Sequence, residues 1–116
     1  MPASTHPNLP LSYNWTLGDP YKTEMDQNLV MLGALVGLSV ISRTLDTPPA
    51  SPANGDRYIV GSAPTGDWLG HAGKIALWIN AAWVFYTPKT GWIAWIEAES
   101  KLSVRSGGVW SPGISI

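Results

Sequence analysis

Twice in this chain, 27 residues apart, the same pattern appears: W-[LI]-x4-K-[IL]-x-[LV]-x5-W. Trp68-Leu69, Lys74-Ile75, Leu77 and Trp83 align with Trp95-Ile96, Lys101-Leu102, Val104 and Trp110. Each copy carries alternating apolar residues and then a turn signal, near Asn80-Ala81 in the first and at Gly107-Gly108 in the second. A two-residue turn between strands needs positive φ at its centre, which glycine adopts at little cost. The spacing predicts two hairpins, residues 74–79 with 83–86 and 102–105 with 109–110, and further strands at 58–60 and 92–96. A repeated hairpin implies two related β-units stacked together. The repeated tryptophans are then core anchors. Each ring buries ~150–250 Å², worth roughly 4–6 kcal/mol gross at ~25 cal/mol per Å². A β-domain this small is marginal without such anchors.

Strand alternation puts Ile75, Leu77 and Ile79 on one face and Trp78 on the other. Trp83 and Phe85 share a face, so Tyr86 points away from them. Trp78 aligns with Arg105 and is not needed by a core common to both copies. Trp78, Tyr86 and Trp92 are therefore the candidate contact surface. It is either a platform for stacking sugars or a protein interface, and exposed aromatics favour the interface.

Ahead of the repeat lie three other zones. Residues 1–18 hold prolines and no helical period. Leu9, Leu11, Tyr13, Trp15 and Leu17 alternate with mostly polar neighbours, which predicts an extended arm lying on a neighbouring surface, as an added strand. Leu11, Tyr13, Trp15 and Leu17 are its expected contacts. Residues 19–43 contain a helix of about 20–40, with Asp19 as N-cap, Pro20 at the first helical position, and Glu24 and Asp26 near the positive end of the macrodipole. Met25, Leu29, Leu32, Val36 and Val40 keep one face apolar, and Leu35, Leu38 and Met31 widen it. Gly33 and Gly37 form a GxxxG pair, a weak signal outside a membrane. A lone helix of ~21 residues is marginal in water. Its broad apolar stripe predicts a parallel bundle of three, with Met25, Leu29, Leu32, Leu35, Val36 and Val40 as the oligomer interface. Residues 44–56, with three prolines and an Asn-Gly-Asp turn, read as a linker to the β-domain of 57–116. The expected fold class is α+β: an arm, one amphipathic helix in a trimeric bundle, and a small antiparallel β-domain of two hairpin repeats.

Composition narrows the function. Apolar residues make up 45% of the 116 and charged residues 13%, with a net charge of −1. A typical domain carries ~25% charged residues, so burial against a partner is expected. The seven basic residues are scattered, which argues against nucleic acid. The longest apolar run, residues 29–41, is too short for the ~20 residues of a spanning helix, so membrane insertion is not expected. With no cysteine, disulfides and thiolate metal sites are excluded. His71, in GHAG, reads as a turn residue donating to a nearby carbonyl, and His6 lies in the arm. Glu97 and Glu99 read as a solvated strand edge beside Lys101. No nucleophile–base pair or metal-ligand spacing is identifiable, so neither catalysis nor a cofactor is expected.

Three segments carry a resemblance: SRTLDTPPASPANGDRYIVG at 42–61, TGDWLGHAGKIALW at 65–78, and WVFYTPKTGW at 83–92. Together with the Leu-Val-Met-Leu-Gly-Ala-Leu core before them, over roughly residues 9–110, they resemble a domain of unknown function found in phages and gene-transfer agents of Gram-negative bacteria. The resemblance implies a virion component near the base of a tail fibre or head spike, assembled as a homotrimer in the bacterial host cytoplasm. It implies contacts with tail, neck, portal or fibre proteins. In that family a Gly-Gly turn usually precedes the first-hairpin tryptophan, whereas Asn80-Ala81-Ala82 stands here. The end of the sequence at Ile116 implies a connector without its own receptor-binding tip. Two alternatives accompany this reading: a host-adhesion module binding surface polysaccharide through Trp78, Tyr86 and Trp92, and a capsid decoration protein.

Overall fold

A computed structural model describes residues 2–116. The fold is α+β, with one α-helix among the described residues and mostly antiparallel sheets. Two compact units divide the chain between Val36 and Gly37.

In the first unit, strand β1 (Pro2–Thr5) pairs antiparallel with β2 (Ser12–Trp15) in the register Ser4↔Tyr13 and Thr5↔Ser12. The segment expected as a single extended arm is therefore a hairpin, with Met1 outside the described residues. Its strands find each other because prolines and Asn8 turn the chain between them. Helix α1 (Lys22–Leu35) follows and meets β2. The joint is polar: the amide of Asn28 accepts from the Ser12 N–H and donates to the Ser12 carbonyl, both at 2.9 Å. Paired in this way, a buried asparagine fixes the register of hairpin on helix without an unsatisfied group.

Helix α1 is shorter than the periodicity predicts. Asp19 is not its cap. Its carboxylate accepts from the Thr16 N–H at 2.8 Å and closes a turn with Gly18 at φ +91°. At the other end Gly37 takes φ +61°, the left-handed conformation that commonly stops a helix. Gly37 therefore lies beyond the helix, so no GxxxG face exists. Leu38 and Val40 are buried in the second unit, with Val40 in a strand. Val40 is thus removed from the expected oligomer interface.

The second unit contains two β-meanders. The first is β4 (Arg57–Ile59), β5 (Ile75–Ile79) and β6 (Ala82–Tyr86). The second is β7 (Ile93–Ile96), β8 (Lys101–Ser106), and an edge built from β9 (Val109–Trp110) and β10 (Ile114–Ser115). Their registers coincide. Arg57, Tyr58 and Ile59 face Leu77, Ala76 and Ile75, as Ile93, Ala94 and Trp95 face Val104, Ser103 and Leu102. The Trp78 N–H reaches the Asp56 carbonyl as the Arg105 N–H reaches that of Trp92. Gly55 and Gly91, both at positive φ, donate to the carbonyls of Trp78 and Arg105.

The repeat is thus real, but one part of the 27-residue alignment fails. Trp68 lies in a 3-10 turn (Gly66–Trp68) and Trp95 in β7, so these two are not equivalent. The structural partner of Trp95 is Ile59, because the excursion from β4 to β5 is longer than the turn from β7 to β8. Both predicted hairpin turns form as two-residue turns with positive φ at both positions.

Residues 38–42 join the meanders. Strand β3 (Ser39–Val40) runs parallel to β7, while Ile41 and Ser42 exchange backbone hydrogen bonds with Arg57 and Ile59. The segment 44–56 is packed rather than a spacer. Leu45 and Asp46 accept from the N–H groups of Gly61 and Thr65, and a Cβ on Gly61 would collide with Asp46 Oδ1 and the Leu45 carbonyl. This close approach explains why glycine must end the RYIVG motif. Trp68 is fully buried among Tyr58, Val60 and Ala76, as an anchor should be, while Trp83, Trp95 and Trp110 are half-buried.

Candidate interaction surfaces

Helix α1 presents a first candidate surface. Asn28 and Ala34 are its buried residues, with Glu24, Val30, Met31 and Leu35 half-buried. Met25, Leu29 and Val36, at the helical spacing of a second stripe, are exposed, Leu29 at 61% and Val36 at 72%. Leu32, between them, is half-buried. The hairpin adds the exposed Tyr13, while Leu11 and Trp15 are half-buried and Leu17 projects fully from its turn. Trp15 is held edge-on by Tyr21 at 6.5 Å. Such a stripe on a charge-poor unit is the kind of surface that marks a contact site.

The second surface lies on the first meander. Counting back from the turn at Asn80-Ala81 pairs Trp78 with Trp83 and Ala76 with Phe85. All four share one face with Tyr58, opposite Ala76. Trp78 meets Trp83 at 5.1 Å, Trp83 meets Trp68 at 5.2 Å, and the His71 ring lies flat on Phe85 at 3.7 Å. As expected of a turn residue, the His71 N–H donates to the Trp68 carbonyl at 3.0 Å, while its side chain places Nδ1 3.3 Å from Lys74 Nζ. Asp67, Trp78, Ala81, Ala82, Trp83 and Phe85 line a cleft of about 300 Å³ here.

Trp78, Tyr86 and Trp92 do not converge. Tyr86 faces Ile75 on the other side of the same sheet and is only 8% exposed. Burial raises its hydroxyl pKa, as it does that of Tyr58, where Asp56 and Glu97 add to the effect. Tyr86 is a core residue because both faces of the sheet are covered at this end, with Ile75, Ala76 and Leu77 all buried. Trp92 is half-buried and belongs to the second meander, at the place of Asp56 in the first. Only Trp78 stays in the candidate surface. Trp83, Phe85 and Asp67 join it, and the turn-derived register was the sequence signal for the first two.

A wider groove of about 590 Å³ passes Arg43, Asp46, Arg105 and Trp110. Its polar groups already hold the fold together. The Arg43 guanidinium grips both Glu99 oxygens at 2.8 and 2.9 Å and donates to the carbonyls of Ser111 and Pro112. Hydrogen bonding to Glu99 raises the Arg43 pKa, and the same contact lowers that of Glu99. Glu97 accepts from the Ser39 hydroxyl at 2.7 Å. The two glutamates are therefore ties to residues 39–43 in the turn after β7, not a bare solvated edge. Arg105 lies over Trp110 at 5.8 Å, and the Trp110 indole N–H donates to the Gly73 carbonyl. Among the described residues, no group of three or more His, Cys, Asp or Glu side chains is placed to hold a metal ion. No helix of the described residues is long and apolar enough to cross a membrane.

A family model described as "Protein of unknown function (DUF2793)" matches residues 25–111, most of the chain. The chain belongs to the DUF2793 family. The DUF2793 match begins at Met25, inside α1, and ends after β9, so it takes in the exposed helix stripe, the first meander and the second as far as β9, but neither β10 nor the N-terminal hairpin. The Gly61 contact and the Arg43 clamp on Glu99 and Ser111 also lie within it. No curated protein matches the chain.

Proposed function

We propose that this DUF2793 chain is a structural component of a phage particle, a homotrimeric anchor or connector for a tail fibre or head spike. The observation that carries the reading is the exposed stripe of Met25, Leu29 and Val36, with the half-buried Leu32 between them. Fully covering one such side chain is worth roughly 1.5–3 kcal/mol, so three copies meeting along the stripe gain enough to hold together. The hairpin, with Tyr13 and Leu17 outward, is the element that reaches a neighbouring virion protein. The β-unit, tied internally by Arg43, is the rigid body presented to the next fibre segment. The resemblance of the motifs at 42–61, 65–78 and 83–92 to a domain found in phages and gene-transfer agents supports this reading.

The test is incorporation. Mass spectrometry of purified particles is expected to find the wild-type chain, and particles assembled with Leu29→Asp are expected to lack it. Absence of the wild type, or retention of Leu29→Asp at wild-type stoichiometry, would contradict the proposal. Gold labelling of the same particles separates a fibre base from a decoration site on the capsid shell.

A further inference from the structure

We propose that the cleft formed by Asp67, Trp78, Trp83 and Phe85 binds a neutral saccharide, taking one pyranose ring against its aromatic wall. This inference does not rest on the oligomeric state or on the phage reading.

The first argument is surplus. The two meanders share a register, so residues needed by the common frame should recur. Trp83 recurs as Trp110, but Trp78, Ala81, Ala82 and Phe85 are replaced by Arg105, Gly108, Val109 and Pro112. The residues that set the first meander apart are the ones that line the cleft. The second argument is strain. Ala81 has φ +62° at the position where the second hairpin holds Gly108 at +79°. A left-handed alanine costs about 1–2 kcal/mol, which glycine would avoid. Ala81 lines the cleft, and strained non-glycine residues gather at functional sites.

The third argument is chemical fit. A volume of about 300 Å³ is at the small end for ligand sites and suits one sugar ring with its substituents. Indole and phenyl faces carry negative quadrupoles that attract the C–H face of a pyranose. Asp67 is exposed at the rim, an acceptor-only carboxylate suited to sugar hydroxyls. No basic side chain lines the cleft, so a carboxylated or sulfated glycan would meet only repulsion. The rings are also fixed in advance. Trp68 and Trp78 hold Trp83 edge-on, and His71 covers Phe85, so little side-chain freedom is lost on binding.

The experiment follows the indole N–H signals of the full chain by NMR during titration with glucose, galactose, mannose, N-acetylglucosamine, maltose, cellobiose and lactose. The Trp78 and Trp83 signals are expected to shift saturably with at least one of these sugars while the Trp15 signal stays. Trp78→Ala is expected to weaken binding by about two- to tenfold, since loss of one stacking contact is of that order. Asp67→Asn, at an exposed site that leaves folding intact, is expected to weaken it several-fold, and Trp92→Ala to leave it unchanged. Failure of every sugar to give a saturable shift would overturn the proposal. So would shifts that survive both Trp78→Ala and Asp67→Asn undiminished.

Discussion

The first meander closes on a tryptophan pair and the second on a cation. Trp78 stands on Trp83 in one, and Arg105 lies over Trp110 in the other, at the same places in the same register. The outer strand differs as well. β6 runs unbroken for five residues, whereas its counterpart is split between β9 and β10 around Pro112 and Gly113. Proline cannot donate to the ladder, and Arg43 takes up the carbonyls freed there. One frame therefore supports two outcomes: an aromatic face with a cleft, and a clamped edge. What the copies share builds the sheet, and what they do not share is where function is to be sought.

The largest expected break in this comparison is at Trp68, which has no counterpart in the second meander. Trp68→Ala is expected to lose about 3–5 kcal/mol in denaturant unfolding, because it empties a fully buried site. Trp110→Ala, at a half-buried position, is expected to lose clearly less. Equal losses would mean that the two meanders are not anchored differently.

Next in size is the clamp. Arg43→Ala leaves Glu99 and the Pro112 carbonyl without their donor, while the Ser111 carbonyl keeps the Ser103 hydroxyl, and is expected to cost about 2–3 kcal/mol. The same contact makes the clamp acid-labile. Because the folded pKa of Glu99 is lowered, its contribution is complete at neutral pH. It begins to fade below the ordinary glutamate value of about 4.3 and is lost as pH falls through the folded value. Glu99→Gln is expected to flatten that acid limb of the stability profile. An unchanged limb would remove the clamp from the account.

The smallest expected effects exchange the two turns. Ala81→Gly is expected to stabilise by about 0.5–1 kcal/mol, and Gly108→Ala to destabilise by about 1–2 kcal/mol. If Ala81→Gly destabilises instead, the left-handed alanine is not under strain and the second argument for the cleft falls.

Much of the β-unit was legible because its signals are local. Two-residue turns fix their flanking pairs, so Asn80-Ala81 and Gly107-Gly108 placed both hairpins. The helix was legible in kind but not in extent, since Gly37 sits in phase with Gly33 and only its left-handed φ reveals a stop. Strands β1, β3 and β10 are four residues or fewer, and nothing in their own residues specifies a distant partner. The role of residues 44–56 was hidden because prolines read as a spacer, while their docking depends on one glycine, Gly61, sixteen residues from Leu45. Tyr86 was misplaced because alternation names two faces but not which is covered, and here both are. In the candidate cleft Trp78 was legible directly, and Trp83 and Phe85 through the register that the turn sets. Asp67 reaches it through a 3-10 turn whose position no periodicity foretells.

The claim on which the assembly reading stands is that the Met25, Leu29 and Val36 stripe is covered by identical chains. Sedimentation equilibrium of the full wild-type chain at micromolar concentration measures this directly. Three times the chain mass of 12.5 kDa is predicted, falling toward one chain for Leu29→Asp. A wild-type particle of single-chain mass, unchanged by that substitution, would contradict it.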